Sequence, residues 1–109
     1  MSDPGDNAPT DDSTHPAAGA VLVRDDTAGR YELRRGDEVI AFATFSEAGA
    51  VTTIPHTETR PDLRGHGTGA VLVGKVLDEL RARGRKVEPR CWFVAEYIEL
   101  HPEQRDLLA

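Results

Sequence analysis

Arg64-Gly65-His66-Gly67-Thr68-Gly69 sets three alternate glycines behind an arginine, directly after a β-type segment and directly before a long amphipathic one. At such a junction the first backbone N–H groups of the helix lack intrahelical partners and the helix dipole adds partial positive charge, so the loop can hold a phosphate. Glycine removes side chains that would keep an anion off the backbone, and Arg64 brings a charge suited to phosphate oxygens. The other reading is a glycine-rich turn beside a solvated arginine. His56 and Glu58 lie two apart in a β-type run and so share a face, although strand alternation produces such pairs on plain solvated faces too. Cys91, the single cysteine, falls where a strand gives way to a helix whose N-terminus lowers a thiol pKa. It reads either as a nucleophile with His56 or His101 as base, or as a small buried hydrophobe.

The loop differs from two familiar phosphate motifs. A dinucleotide fingerprint needs an immediate parallel βαβ unit and an acidic ribose ligand about 20 residues on, whereas here four strands of antiparallel character come first. No Gly-Lys-Ser/Thr follows, so it is not a Walker loop. A different phosphate-bearing ligand remains.

The elements that must position these residues follow from periodicity. Ala20 to Val23 reads as a first strand, Tyr31 to Arg34 and Val39 to Phe45 as a hairpin, and Ala50 to Thr59 as a fourth strand rich in β-branched residues. Pro55 removes a ladder donor from that strand and predicts an edge, a bulge or broken pairing. Leu72, Val73, Val76, Leu77 and Leu80 recur at helical spacing, with Gly84 as a left-handed cap. Lys86 to Cys91 is a fifth strand, parallel to its partner after a right-handed crossover. Phe93, Val94, Tyr97, Ile98 and His101 give a second helix that Pro102 stops.

At 109 residues the chain is one domain. Residues 1–19 hold Asp3, Asp6, Asp11 and Asp12 and no Lys or Arg, and predict a disordered acidic tail ahead of a domain at 20–109. Those aspartates carry four of the six net negative charges, leaving −2 for the domain. Nucleic acid, which attracts a basic surface, is excluded as a partner. No apolar run spans a membrane and no signal peptide is recognisable, which predicts a cytoplasmic protein. One cysteine allows neither an internal disulfide nor a zinc site of clustered thiolates, and no metal is expected. Arg81, Arg83, Arg85 and Lys86 form a basic cluster, read as a solvated helix end or as a contact for a further phosphate.

Taken together, these motifs resemble the GNAT acetyltransferase superfamily, whose signature Arg/Gln-x-x-Gly-x-Gly/Ala is matched in full by residues 64–69. The resemblance is closer to its compact single-domain N-acetyltransferases: His56-Thr57-Glu58 before the loop, Pro61-Asp62-Leu63-Arg64-Gly65 leading into it, and Cys91-Trp92-Phe93-Val94-Ala95-Glu96-Tyr97-Ile98-Glu99-Leu100-His101-Pro102 near the end. It runs from about Tyr31 to Leu108. Two departures stand out. There is no room for the two helices that larger members place on the acceptor side, and Gln104 stands where the subfamily has an aromatic residue.

The resemblance implies an α/β (α+β) fold with a mixed, mostly antiparallel sheet of about five strands, two helices, and a splay between the fourth and fifth strands. It implies acetyl-CoA as cosubstrate, its pyrophosphate held by Arg64, Gly65, His66, Gly67, Thr68 and Gly69, with acetyl passing to an unidentified small-molecule or protein amine. Such transfer needs a base, an oxyanion site and an acid for the thiolate. Glu58 or His56 is then the base, directly or through water; a backbone N–H of the fourth strand holds the carbonyl; Tyr97 resembles the tyrosine that protonates the thiolate, or packs beside Phe93 and Ile98. Cys91 offers an acetyl-cysteine route, with direct attack by the amine preferred. The alternative to an enzyme is a CoA-binding or acyl-CoA-sensing module, suggested by the missing acceptor-side helices.

Overall fold

The computed structural model describes His15 and residues 17–109. Strands β1 (Val21–Asp25), β2 (Arg30–Arg35), β3 (Glu38–Ala48) and β4 (Val51–Thr59) are followed by helix α1 (Thr68–Ala82), strand β5 (Lys86–Pro89) and helix α2 (Trp92–Leu100). The sheet runs in the order β1-β2-β3-β4-β5. Its first four strands pair antiparallel and β5 pairs parallel to β4, which is the α+β architecture expected. The sequence reading lacks the two 3₁₀ segments, Pro61–Leu63 and Pro102–Leu107, each begun by a proline that fits a first helical turn.

Leu72, Val73, Val76, Leu77 and Leu80 of α1 and Val94 and Ile98 of α2 bury against Tyr31, Leu33, Ala41 and Ala43 of the sheet in one core. The two helices also meet each other, since Phe93 and Tyr97 of α2 stand against Gly69 and Gly74 of α1. Two bulges shape the sheet. Leu33 pairs with Ala41 but Arg34 with Val39, so Ile40 is an extra residue. Thr44 pairs with His56 but Ser46 with Thr53, so Ile54 and Pro55 together face Phe45.

That second bulge reverses the alternation of β4. Ile54 belongs to the core, yet so does the side of Thr57, which pairs with the buried Ala43. Cross-strand partners share a face, so His56 opposite Thr44 and Glu58 opposite Phe42 lie on the side of the sheet away from the core. Simple alternation from Ile54 would have turned both inward.

The expected acidic tail lies outside the described residues for 1–14 and 16. Ala17 to Gly19 form a turn, and Ala17 and Ala20 are buried in the core. At the other terminus Gln104 is buried and its Oε1 accepts from Arg81 at 3.0 Å. Leu107 enters the core, and Leu108 bridges to the outer edge of β5 at Val87. A polar anchor thus docks the C-terminus where an aromatic residue was expected. The basic cluster is engaged by the fold: Arg81 with Asp106 at 2.7 Å, Arg83 with Glu47 at 3.4 Å, Arg85 with Glu47 at 3.1 Å, and Lys86 with the carbonyl of Asp106. It also sits at the far end of α1 from the glycine loop, roughly 20 Å away at helical rise.

Candidate functional site

The pairing of β4 with β5 covers Val51 to Ile54 on one strand and Lys86 to Pro89 on the other. Just past it, the N–H groups of Arg90 and Cys91 both donate to the carbonyl of Ile54, at 3.1 and 3.0 Å. Beyond that point the two strands part, as expected. Here the edge of β4, from Pro55 to Thr59, borders a cleft of about 810 Å³ that the glycine loop, the first turn of α1 and residues Arg90 to Phe93 complete.

His56, Thr57, Glu58 and Cys91 all line this cleft. His56 Nε2 and Glu58 Oε1 are 3.2 Å apart, with side chains 57% and 46% exposed. On the other side of β4, Thr57 Oγ1 and Cys91 Sγ are 3.4 Å apart. Glu58 also borders a second cavity of about 250 Å³, lined by Arg30, Val39, Phe42, Arg60 and Pro61 among others. The carboxylate therefore stands between two spaces, one on each side of the strand edge.

Cys91 is the N-cap of α2 and is 8% exposed. Burial pushes its thiol pKa up, but the Thr57 hydroxyl and the backbone N–H groups of Val94 and Phe93 together hold it below the ordinary thiol value. This is the effect expected of a thiol at a helix N-terminus. Trp92, at the start of α2, is 73% exposed at the cleft and meets Phe93 edge-on with ring centroids 5.8 Å apart.

In the loop, Gly65 and Gly67 both take φ of 82°, a region that costs any other residue steric strain. Gly67 is the N-cap of α1, and no side chain caps that helix, leaving its first N–H groups toward the cleft. The Thr68 hydroxyl is buried without a hydrogen-bond partner, and Thr68 is one of the residues that line the cleft. A buried hydroxyl left unpaired costs about 1–3 kcal/mol, a cost that an acceptor brought to the loop would offset. A Cβ on Gly69 would stand 3.1 Å from the Phe93 ring and 3.3 Å from Thr59 Oγ1, so the loop is closely packed there. Arg64 is exposed, its Nε donating to the Thr59 carbonyl at 3.3 Å, and lines the cleft; His66 is exposed and does not. The loop therefore fits a phosphate group by backbone, hydroxyl and guanidinium together.

Tyr97 and His101 are set apart from this group. Neither lines the cleft. Burial, with Asp78 and Glu103 nearby, raises the Tyr97 phenol pKa. The Tyr97 ring stacks on His101 with centroids 3.9 Å apart, and the Nδ1 of His101 is 2.7 Å from the Tyr97 carbonyl. His101 lies at the opposite end of α2 from Cys91, roughly 14 Å along the helix. Of the two histidines read as bases for Cys91, only His56 shares its cleft. Thr57 and Thr68 were not singled out for their hydroxyls in the sequence, because nothing local shows which face a threonine takes beyond a bulge or how deeply a first-turn hydroxyl is buried. Trp92 gave a signal, a large aromatic next to the cysteine, that its exposure now explains. Among the described residues no cluster of three or more metal-ligating side chains occurs, and no helix is long and apolar enough to cross a membrane.

A family model described as GCN5-related N-acetyl-transferase matches residues 30–107. Among solved structures, the chain is similar to a GCN5-like protein from Staphylococcus aureus, with a TM-score of 0.63 and 19% identity over 82% of this chain and 87% of that one. It is also similar to the ribosomal-protein-S18-alanine N-acetyltransferase from Escherichia coli, with a TM-score of 0.55 and 23% identity over 65% of this chain and 50% of that one. Both likenesses concern the fold, and the second spans half of the longer protein. No curated protein matches the sequence.

Proposed function

This chain belongs to the GCN5-related N-acetyltransferase family, and from that premise we propose that it takes acetyl-CoA into the cleft beside β4 and passes the acetyl group to an amine. The observation that carries the reading is the buried, partnerless Thr68 hydroxyl at the mouth of an uncapped 15-residue helix. Loop residues Arg64 to Gly69 hold the pyrophosphate, with Gly65 and Gly67 opening the backbone to it and Arg64 closing over it. The arm of the coenzyme follows the open edge of β4, whose N–H groups beyond Ile54 face the thioester carbonyl.

The acceptor amine comes from the opposite side, through the smaller cavity that shares Glu58. Glu58 takes the proton that the amine loses as the new C–N bond forms, the C–S bond breaks and CoA departs as a thiolate that takes its proton from solvent in the open cleft, and His56 at 3.2 Å steadies or relays the proton on Glu58. Tyr97 is assigned to holding α2 on α1, because its hydroxyl lies against Gly74 and outside the cleft. A second route, through an acetyl group carried on Cys91, is favoured by one observation, the placing of that thiol at the N-cap of α2 with Thr57 Oγ1 3.4 Å from its sulfur. Mass spectrometry of protein mixed with acetyl-CoA and no amine separates the routes: an acetylated Cys91 peptide supports the second, and its absence supports direct attack.

The test of the whole reading is calorimetric titration of the protein with acetyl-CoA and CoA, with Arg64→Ala as control. Saturable binding that weakens in the variant supports it. A folded protein that binds neither ligand overturns it.

A further inference from the structure

Ahead of β1 the chain returns to the phosphate loop. The His15 Nε2 lies 3.3 Å from the position a Cβ on Gly67 would take. The ring is pinned there: the Ala17 N–H donates to its Nδ1 at 2.9 Å, the Ala18 N–H donates to the His15 carbonyl at 2.8 Å, and Ala17 is buried in the core. In a neutral imidazole whose Nδ1 accepts, the hydrogen must sit on Nε2. The nitrogen facing Gly67 is therefore a donor.

We propose that His15 is a phosphate-binding residue, its Nε2–H completing the cradle made by the loop N–H groups and the Thr68 hydroxyl. The proposal rests on the reading of that loop as the coenzyme site. At the positive end of α1 the free N–H groups and the Arg64 guanidinium can only donate, and the Thr68 hydroxyl, which could also accept, has no hydrogen-bond partner. An anion oxygen between them satisfies every one. The His15 ring is then set in advance by the turn at Ala17 and Ala18, so little ordering is needed on binding.

The experiment uses the full chain and calorimetric titration with CoA, comparing wild type with His15→Ala and His15→Gln, alongside thermal melts of each protein without ligand. Loss of one hydrogen bond to a charged acceptor corresponds to about tenfold in affinity. His15→Ala is expected to bind CoA about tenfold more weakly with an unchanged melting temperature, and His15→Gln, which keeps a donor amide, to recover part of the loss. CoA binding by His15→Ala that is unchanged or tighter overturns the proposal; so does a fall in melting temperature that accounts for the weakened binding. Wild-type binding with unmoved variants removes His15 alone, whereas no binding by wild type removes the coenzyme reading as well.

Discussion

The phenol oxygen of Tyr97 stands 2.8 Å from the position a Cβ on Gly74 would take. A methyl there must push the hydroxyl aside, and with it the ring stacked on His101. Gly74→Ala is therefore expected to destabilise the wild-type protein by about 1 kcal/mol. In a Tyr97→Phe background the next ring atom is 3.7 Å away, and the same substitution should stabilise by up to about 1 kcal/mol through helix propensity. Denaturant unfolding of the four proteins of this cycle tests the pair, and additive effects would sink the contact. Tyr97→Phe should also keep its turnover, whereas loss of a general acid costs roughly a hundredfold or more.

Thr68→Val keeps the shape of the side chain and removes the unpaired hydroxyl. It should raise stability by about 1 kcal/mol, since the buried orphan oxygen disappears, and weaken CoA binding by about tenfold, since a charge-assisted hydrogen bond disappears with it. Thermal melts and calorimetry on one preparation check both signs. Stability and affinity falling together would show that the hydroxyl has a structural partner instead.

Glu58→Gln is nearly isosteric and leaves the loop untouched, so CoA affinity should hold while turnover falls by roughly a hundredfold. Steady-state rates with a reactive amine and a parallel CoA titration make the comparison. Equal losses in the two would move Glu58 from proton transfer to ligand binding or folding.

Cys91 should react with iodoacetamide along a pH profile whose inflection lies below the ordinary thiol value of about 8.5. Burial opposes this shift, and the Thr57 hydroxyl and the α2 N–H groups overcome it. Thr57→Val should therefore move the inflection upward, and bound CoA should slow alkylation in both proteins. A profile that ignores Thr57 would contradict the 3.4 Å contact.

Glu32 is buried between two arginines, with Nε of Arg34 at 2.8 Å and Nε of Arg30 at 2.7 Å. The Arg34 hydrogen bond lowers its pKa, burial opposes, and Arg30 adds to the lowering. A folded-state pKa depressed in this way gives stability that is present above the unfolded value of about 4.3 and is lost as pH falls through the folded value. Glu32→Gln should cost about 2 kcal/mol at neutral pH, a modest figure because both arginines are more than a third exposed. The gap between variant and wild type should begin to shrink as pH falls below about 4 and close only below the depressed folded value. Urea midpoints across pH check it, and a constant gap would deny the depressed pKa.

The order of elements, the crossover and the loop were legible because they rest on local signals: a change of period at Gly69, glycines before a helix, Gly84 after it, and Pro102 after the second helix. Pro55 was legible as an edge, a bulge or broken pairing, and the structure has the bulge; that it turns His56 and Glu58 away from the core was not, because register is decided by the partner strand. Glu32 sat on the polar side of an alternating strand, which gives no sign of burial; its burial depends on Arg30 and Arg34 folding over it. The basic cluster at the end of α1 read as free charge because Glu47 and Asp106 lie far from it in sequence. Tyr97 and His101 shared the helical period of the core residues, and only the approach of α1 at Gly74 shows where the phenol points. His15 fell in a composition without any local structural signal.

The bulge at Ile54 and Pro55 makes β4 a partition with a separate cavity on either side of it. Thr57 and Cys91 attend one compartment, Phe42 and the second cavity the other, and Glu58 stands at the edge where the two communicate. On the proposed function, donor and acceptor would have separate doorways, and neither would have to leave before the other enters. A catalyst built this way has no steric reason to impose an order of arrival on its two substrates.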